Sequence, residues 1–84
     1  MTEPVQLSFL KQLRQIGDDY KASAQIDGMI AIIEGRTYRA GDHYVATIEG
    51  GWWVGRGKTA QEAIKKAIDA YALETYAQKY GVLP

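Results

Sequence analysis

The stretch GWWVGRGKTAQEAIKKAIDAY, residues 51–71, decides the fold because it changes from a strand pattern to a helix pattern within a few residues. Its Thr59-Ala60-Gln61-Glu62 segment is a capping box, in which the Thr59 hydroxyl accepts the Glu62 amide hydrogen and the Glu62 carboxylate reaches back. An apolar stripe at helical spacing follows and consists of Ala60, Ala63, Ile64, Ala67, Ile68 and Tyr71. The stretch therefore predicts a C-terminal helix that begins near Thr59 and ends at Gly81.

The residues before this stretch predict two hairpins. Tyr20–Ile26 alternates apolar and polar residues, and Asp27-Gly28 is a typical two-residue hairpin turn. Pairing around this turn places Lys21 opposite Glu34, a residue of opposite charge. Gly50-Gly51 is expected to make the second tight turn. The predicted strands are 20–26, 29–34 with a continuation to 38, 43–49 and 52–56.

The N-terminal residues predict a second helix. Thr2 or Glu3 can cap it, Pro4 suits its first turn, and Gly17 can end it. Its apolar residues recur at helical spacing and are Phe9, Leu10, Leu13 and Ile16. The predicted fold is thus α+β, a single domain of residues 1–84 in the order α-β-β-β-β-α. A four-stranded antiparallel meander carries the N- and C-terminal helices on one face. The expected core residues of the sheet are Ala22, Ala24, Ile26, Met29, Ala31, Ile33, Tyr44, Ala46, Ile48 and Trp53.

The composition is that of one small globular domain. Of its 84 residues, 10 are basic, 10 are acidic and none is cysteine, so a disulfide framework and thiolate metal sites are excluded. The balanced charges give no overall attraction to nucleic acid or to anionic membranes. No apolar run approaches the roughly 18 residues of a membrane span, and the N-terminus lacks a signal-peptide pattern. These features predict a cytoplasmic protein without membrane contact.

Three features that suggest catalysis have simpler explanations. Gly57-Lys58-Thr59 resembles the end of a P-loop, but Trp52 stands where the first glycine of that motif is needed. His43 is the only histidine, and it adjoins a Gly-Asp turn without a nearby serine or cysteine to activate. Asp18-Asp19 lies in a predicted loop, where two carboxylates are more often solvated than catalytic. The sequence therefore predicts no enzyme, no catalytic residue, no metal and no cofactor.

The adjacent tryptophans Trp52 and Trp53 predict a protein-binding surface. Neighbouring strand residues point to opposite faces, so both indoles cannot enter one core. The hairpin register directs Trp53 inward and leaves Trp52 on the open sheet face. An apolar patch with a charged rim and a tryptophan is typical of a partner surface. The predicted partner-binding residues are Trp52, Val54, Val45, Ile30, Ile32 and Arg56.

Basic residues support a competing hypothesis of nucleic-acid or phosphate binding. The candidate anion-binding residues, expected around the strand ends, are Arg36, Arg39, Arg56 and Lys58. Free amides at the start of the C-terminal helix would add to such a site. Gly41-Asp42-His43 and residues 55–59 also resemble the turn and the final helix start of double-stranded RNA-binding domains. Nucleic acid therefore remains a possible partner, although the neutral net charge does not favour it.

Residues 51–71 resemble the strand-Gly-Thr-x-x-Glu-Ala-helix segment of HicB-like antitoxin domains, and this resemblance implies an antitoxin role. In size and texture the chain also resembles small phage and prophage proteins, including anti-CRISPR inhibitors. That resemblance implies a stoichiometric binder that blocks a host defence complex. The leading hypothesis is a non-enzymatic protein–protein interaction module of bacterial or phage origin. Its partner is expected to be another protein or a second copy of the chain.

Overall fold

The computed structural model describes residues 8–26 and 28–80, with side chains as far as Thr75. In chain order the elements are β1 (Ser8–Ile16), β2 (Asp19–Ile26), β3 (Met29–Ala40), β4 (His43–Ile48), β5 (Val54–Gly57) and α1 (Ala60–Tyr80). The five strands form one antiparallel sheet in the order β1-β2-β3-β4-β5. The α+β class, the meander and the C-terminal helix are as predicted, but the numbers of strands and helices are not.

The predicted N-terminal helix is wrong, because residues 8–16 form the edge strand β1. Leu10 pairs with Ala24 and Leu13 pairs with Ala22, and the register shifts between them at a β-bulge. A regular strand returns to the same face every second residue, whereas a bulge inserts one extra residue. Leu10 and Leu13 therefore share a face at a spacing of three, which imitates a helix. The predicted capping residues Thr2, Glu3 and Pro4 lie outside the described part of the chain.

The first predicted hairpin is confirmed in its register. Lys21 pairs with Glu34 and Ile26 pairs with Met29, as the Asp27-Gly28 turn required. Strand β3 continues well beyond Glu34 and pairs with β4 as far as Ala40. Two further two-residue loops, Gly17-Asp18 and Gly41-Asp42, join β1 to β2 and β3 to β4.

These two loops begin with glycines in the left-handed region, at φ values of 60° for Gly17 and 68° for Gly41. Tight hairpin loops need positive φ at one or both central residues, which glycine adopts without steric cost. Gly17, expected to end a helix, instead turns the chain between two strands.

The second predicted hairpin is only partly correct. Val45 pairs with Arg56 and Thr47 pairs with Val54 as predicted, but the ladder ends there. Strand β5 begins at Val54, so Trp52 and Trp53 belong to the connection rather than to the strand. The alternation of strand side chains consequently does not extend to the two tryptophans.

Helix α1 packs closely on one face of the sheet because small residues line the contact. A Cβ atom added to Gly55 would lie 2.2 Å from the Ala63 carbonyl oxygen and 2.3 Å from the Ala67 amide nitrogen. This is far inside van der Waals contact, so only glycine fits beneath the helix. The buried apolar residues common to sheet and helix are Tyr20, Ala22, Ala24, Ile26, Ile33, Ala46, Ile48, Ala63, Ile64, Ala67, Ile68 and Ala72.

The predicted start of α1 is confirmed by one half of the capping box. The Glu62 amide donates to the Thr59 hydroxyl at 3.1 Å, which satisfies an amide that has no partner within the helix. The Glu62 carboxylate also forms an i,i+4 ion pair with Lys66 at 3.4 Å. At the other end of the sheet, the buried Ser8 hydroxyl donates to Asp69 and ties β1 to the helix. The predicted C-terminal cap at Gly81 lies outside the described residues.

One predicted core residue is exposed. Met29 faces the same side of the sheet as Ile26, yet 67% of its surface is accessible. The helix lies mainly over β5 and β4 and has fewer contacts with β3, so it does not cover the start of that strand. Within the described residues, no helix has the length and apolar character needed to cross a membrane.

Candidate interaction surface

One face of the sheet is left uncovered by α1, and the side chains on it are termed the open face. The cross-strand register assigns them, because directly paired residues point to the same side. Phe9 pairs with Gln25 and Gln25 with Ile30, and all three point away from the buried Ala24 and Ile26. Six large apolar residues of this face are between 41% and 68% exposed, namely Phe9, Ile16, Ile30, Ile32, Tyr38 and Val54.

Charged side chains divide the apolar residues of the open face. Lys21 and Glu34 approach to 4.0 Å, and Arg36 and Asp19 approach to 3.2 Å. Both pairs are more than half exposed, so each contributes little to stability. Arg14 pairs in register with Lys21 and has no ion pair among the described residues. The surface therefore combines apolar residues with both signs of charge.

A shallow open groove of about 730 Å³ crosses the sheet at these charged residues. Its lining consists of Arg14, Ile16, Asp19, Tyr20, Lys21, Glu34, Gly35, Arg36, Thr47 and Glu49. The Tyr20 hydroxyl donates to the Thr47 carbonyl oxygen at 2.8 Å, and a Cβ atom at Gly35 would lie only 1.9 Å from that oxygen. Burial raises the pKa of Tyr20 to about 12. A neutral buried tyrosine thus links β2 to β4 beneath the groove.

The predicted partner-binding residues do not form one group. Ile30, Ile32, Val54 and Arg56 are exposed on the open face, as predicted. Val45 lies on the same face but is only 7% exposed, because it pairs with both Tyr38 and Arg56 in the middle of the sheet. Val45 therefore offers little surface to a partner in this conformation.

Trp52 occupies a different environment from the one predicted. Its ring stacks on that of Trp53, with centroids 5.4 Å apart, and 75% of the residue is exposed. Trp53 meets Tyr71 edge-on at 4.9 Å and donates its indole N–H to Glu74. Trp53 packs against the core as expected, but Trp52 is held beside it at the end of the sheet. Its exposure still suits an aromatic anchor for a partner.

The four candidate anion-binding residues are not assembled into one basic site. Arg36 is paired with Asp19, and Arg39 donates to the Gly41 carbonyl oxygen at 3.0 Å. Arg39 pairs in register with Tyr44, which packs against the core, whereas Arg56 pairs with Val45 on the open face. Arg39 and Arg56 are therefore on opposite sides of the sheet.

His43 lies at the Gly41-Asp42 turn, as expected for a turn residue. Its Nδ1 donates to the Asp42 carboxylate at 3.1 Å. This hydrogen bond lowers the pKa of Asp42, which is fully exposed. Within the described part of the chain, no three His, Cys, Asp or Glu residues are placed to hold a metal ion together.

Three apolar residues of the open face, Phe9, Ile16 and Tyr38, are not among the predicted partner-binding residues. Phe9 and Ile16 belong to the predicted N-terminal helix, and Tyr38 is the last residue of the predicted continuation of its strand. The missed signal was the tight Gly17-Asp18 loop, whose pairing of Ile16 with Asp19 makes residues 8–16 a strand. The pairs of polar residues that separate Leu10, Leu13 and Ile16 are compatible with a helix and with a bulged strand.

The sequence matches no protein-family model, and no curated protein or solved structure shows significant similarity to it. The resemblances to HicB-like antitoxin domains and to small phage inhibitors therefore remain predictions.

Proposed function

We propose that this chain is a protein-binding module that docks a partner protein on its open face. The observation that carries the proposal is the exposure of six large apolar residues on one side of a sheet whose other side is covered by α1. Large apolar residues that are exposed together on one side of a small domain often mark a protein-interaction surface.

The chemistry of the surface favours a protein over other ligands. Aromatic and aliphatic side chains form the apolar part, and Arg14, Lys21 and Arg36 alternate with Asp19 and Glu34 between them. Protein interfaces combine apolar residues with polar groups of mixed charge. Nucleic acid would instead require an excess of positive charge on one surface.

The expected binding energy is concentrated at a few residues. Tyr38 is 46% exposed and lies beside Arg56 across the buried Val45, close to the middle of the face. Tyrosine and arginine are enriched among interface residues whose truncation costs about 2 kcal/mol or more of binding free energy, which is about thirtyfold in affinity. Trp52 would extend the contact at the end of the sheet. The proposed mode of action is stoichiometric binding without catalysis, as expected for an inhibitor or an antitoxin domain.

The test compares two lysine variants for their capture of partners from a lysate of the source organism. Tyr38→Lys changes the open face, and Leu73→Lys changes a 50% exposed residue on α1. Both positions are exposed, so both variants should keep the circular dichroism spectrum and melting temperature of the unchanged protein. We expect Tyr38→Lys to reduce partner affinity at least about tenfold and Leu73→Lys to leave it unchanged.

Capture that is equal for the two variants, or lost only with Leu73→Lys, would contradict the proposal. Trp52→Ala tests the extension of the surface and should weaken the same partner while leaving the fold intact. Binding to DNA or RNA is measured in parallel at low and high salt. Tight binding with a steep salt dependence would identify nucleic acid as the partner instead, because counterion release dominates such binding.

A further inference from the structure

Strand β3 extends beyond the end of β4 over its first five residues, 29–33. It pairs with β2 from Met29 to Arg36, but with β4 only from Gly35 to Ala40. Among the described residues, none pairs with the β4 side of residues 29–33. The Glu49 amide donates to the Glu34 carbonyl oxygen at 2.8 Å, so the polar backbone groups of Glu34 point to that side.

Backbone direction alternates along a strand, which identifies the unpaired groups. In an antiparallel sheet the N–H and C=O of one residue point to the same neighbour, and those of the next residue point to the other. Since Glu34 points to the β4 side, Ile32 and Ile30 do so as well. The Thr37 amide donates to the Asp18 carbonyl oxygen at 2.7 Å on the β2 side, in agreement with this alternation. Two N–H and two C=O groups are thus presented at the edge of residues 29–33.

This edge lacks the features that protect the other edges of the sheet. The outer edge strand β1 carries a bulge at Lys11 and exposes Lys11 and Arg14, which are common devices against strand pairing. The other edge strand, β5, has only four residues. Residues 29–33, Met-Ile-Ala-Ile-Ile, contain no charge, proline or glycine and are rich in β-branched side chains.

We propose that a second copy of this chain pairs with the edge in antiparallel orientation, with its two-fold axis at Ala31. Ile30 of one copy then lies opposite the partner's Ile32, and both residues present their backbone groups to the shared edge. Each such pair exchanges two hydrogen bonds, so all four free groups of each copy are satisfied. A two-fold axis at Ile30 would leave Ile32 without an isoleucine opposite it. A two-fold axis at Ile32 would place Ile30 opposite the partner's Glu34, whose carbonyl oxygen already accepts from Glu49.

The side chains are compatible with this pairing. Ile30 and Ile32 from both copies form a cluster of four isoleucines on the combined open face. The net charge of the chain is zero, so two copies do not repel each other over long distances.

The dimer is expected to be weak and reversible. Met29, Ile30 and Ile32 are 60% to 67% exposed, and the six side chains of two copies would bury on the order of 400 Å² of apolar surface. Together with the backbone, this lies below the roughly 1,200 Å² of standard stable interfaces and corresponds to dissociation constants in the micromolar range or above. The proposed dimer shares Ile30 and Ile32 with the open face, but its evidence is the β3 edge and it does not rest on the partner proposed above.

A single cysteine tests the register, because the natural chain contains none. At the two-fold axis, Ala31 and the partner's Ala31 form a pair without mutual hydrogen bonds, with Cα atoms about 4.5 Å apart. This separation suits a disulfide, which needs about 4.4–6.8 Å. Ala31→Cys at about 200 μM under mild oxidation should form a covalent dimer within minutes to hours. Ile32→Cys lies at the same edge but opposite the partner's Ile30 and not opposite the partner's residue 32. Its covalent dimer should therefore form at least about tenfold more slowly.

A second measurement uses no cysteine. Sedimentation of the unchanged protein at about 5 to 500 μM should show a concentration-dependent monomer–dimer equilibrium, because this range includes micromolar dissociation constants. Ile32→Pro removes an amide that points to the free edge and not to β2, so it should abolish the dimer and keep the β-sheet spectrum. If this variant does not fold, Ile32→Lys provides the same comparison with an edge charge.

Three outcomes would overturn the proposal: Ala31→Cys remains monomeric, Ile32→Cys cross-links as fast as Ala31→Cys, or the unchanged protein stays monomeric at the highest concentration. Tyr38→Lys separates the two proposals, because it alters the open face away from the edge. It should leave the cross-linking of Ala31→Cys unchanged even where it abolishes capture of the foreign partner.

Discussion

The two faces of the sheet are formed by neighbouring residues of the same strands but differ in how far their side chains are buried. On the covered face, Gly55 and Ala46 are small, and α1 approaches closely enough to bury Ile64 completely. On the open face, Ile32 is 62% exposed although it adjoins the buried Ile33. The covered face thus combines small residues at the closest approach of α1 with buried large ones such as Ile33, whereas the open face leaves large apolar residues in contact with water.

This difference separates the residues that stabilise the domain from those available for binding. Stability depends on close packing between α1 and a few strands, where space for even one methyl group is lacking. The open face contributes less to folding, since water already reaches most of its apolar surface. Substitutions on the two faces should therefore have effects of very different size, and the following predictions test that separation.

The largest effect is expected for Gly55→Val on the covered face. The new side chain would start 2.2 Å from the Ala63 carbonyl oxygen and force α1 away from the sheet. We expect a loss of about 3 kcal/mol or more in unfolding free energy, a large part of the roughly 4–12 kcal/mol that stabilises a domain of this size. Thermal unfolding followed by circular dichroism measures it. As a control, Arg56→Val introduces the same side chain at the next residue, which lies on the open face. This variant should melt within a few degrees of the unchanged protein.

An intermediate effect is expected for Ile33→Thr, with Ile32→Thr as its matched control. Ile33 is 4% exposed, so the substitution removes packing and buries a hydroxyl, at a cost of about 2–3 kcal/mol in unfolding free energy. Ile32→Thr retains a β-branched side chain at an exposed site and should change stability by less than about 0.5 kcal/mol. Urea titration of both variants gives the two values. Equal losses would show that the open face is buried in solution.

The smallest effect is expected for Tyr20→Phe and depends on pH. At pH 7 it removes the hydrogen bond to the Thr47 carbonyl oxygen and should cost about 1 kcal/mol. Burial raises the pKa of Tyr20 from 10.0 to about 12 in the folded protein, so the folded state retains the proton over that interval and the unfolded state loses it. The contribution of protonated Tyr20 to the unfolding free energy is therefore complete below pH 10 and declines as the pH rises to about 12.

The unchanged protein should consequently lose about 2 kcal/mol more between pH 9 and pH 12 than Tyr20→Phe does. Urea unfolding at several alkaline pH values measures this difference. Tyr38→Phe, at a 46% exposed position, controls for the titration of other groups and should follow the unchanged protein. If Tyr20→Phe shows the same alkaline loss as Tyr38→Phe, Tyr20 ionises at its ordinary pKa in the folded protein and is not buried in solution.

Part of the candidate surface could be predicted from the sequence because the hairpin registers are local. The Asp27-Gly28 turn determined that Ile30 and Ile32 share a face opposite Ile33, and the β4–β5 pairing placed Val54 and Arg56 with them. The exposure of each residue was less predictable. Val45 has the same strand parity as the exposed residues, but two neighbouring strands surround it and leave 7% of its surface accessible.

Local chemistry in the sequence by itself determined the start of α1 and the pairing of Lys21 with Glu34. A capping hydroxyl and a two-residue turn act within four residues, so distant parts of the chain hardly alter them. Only the tertiary structure decided that residues 8–16 form a strand and that Trp52 stacks on Trp53. The apolar spacing of residues 8–16 suits a helix or a bulged strand, and the free edge of β2 selects the strand by pairing with its backbone.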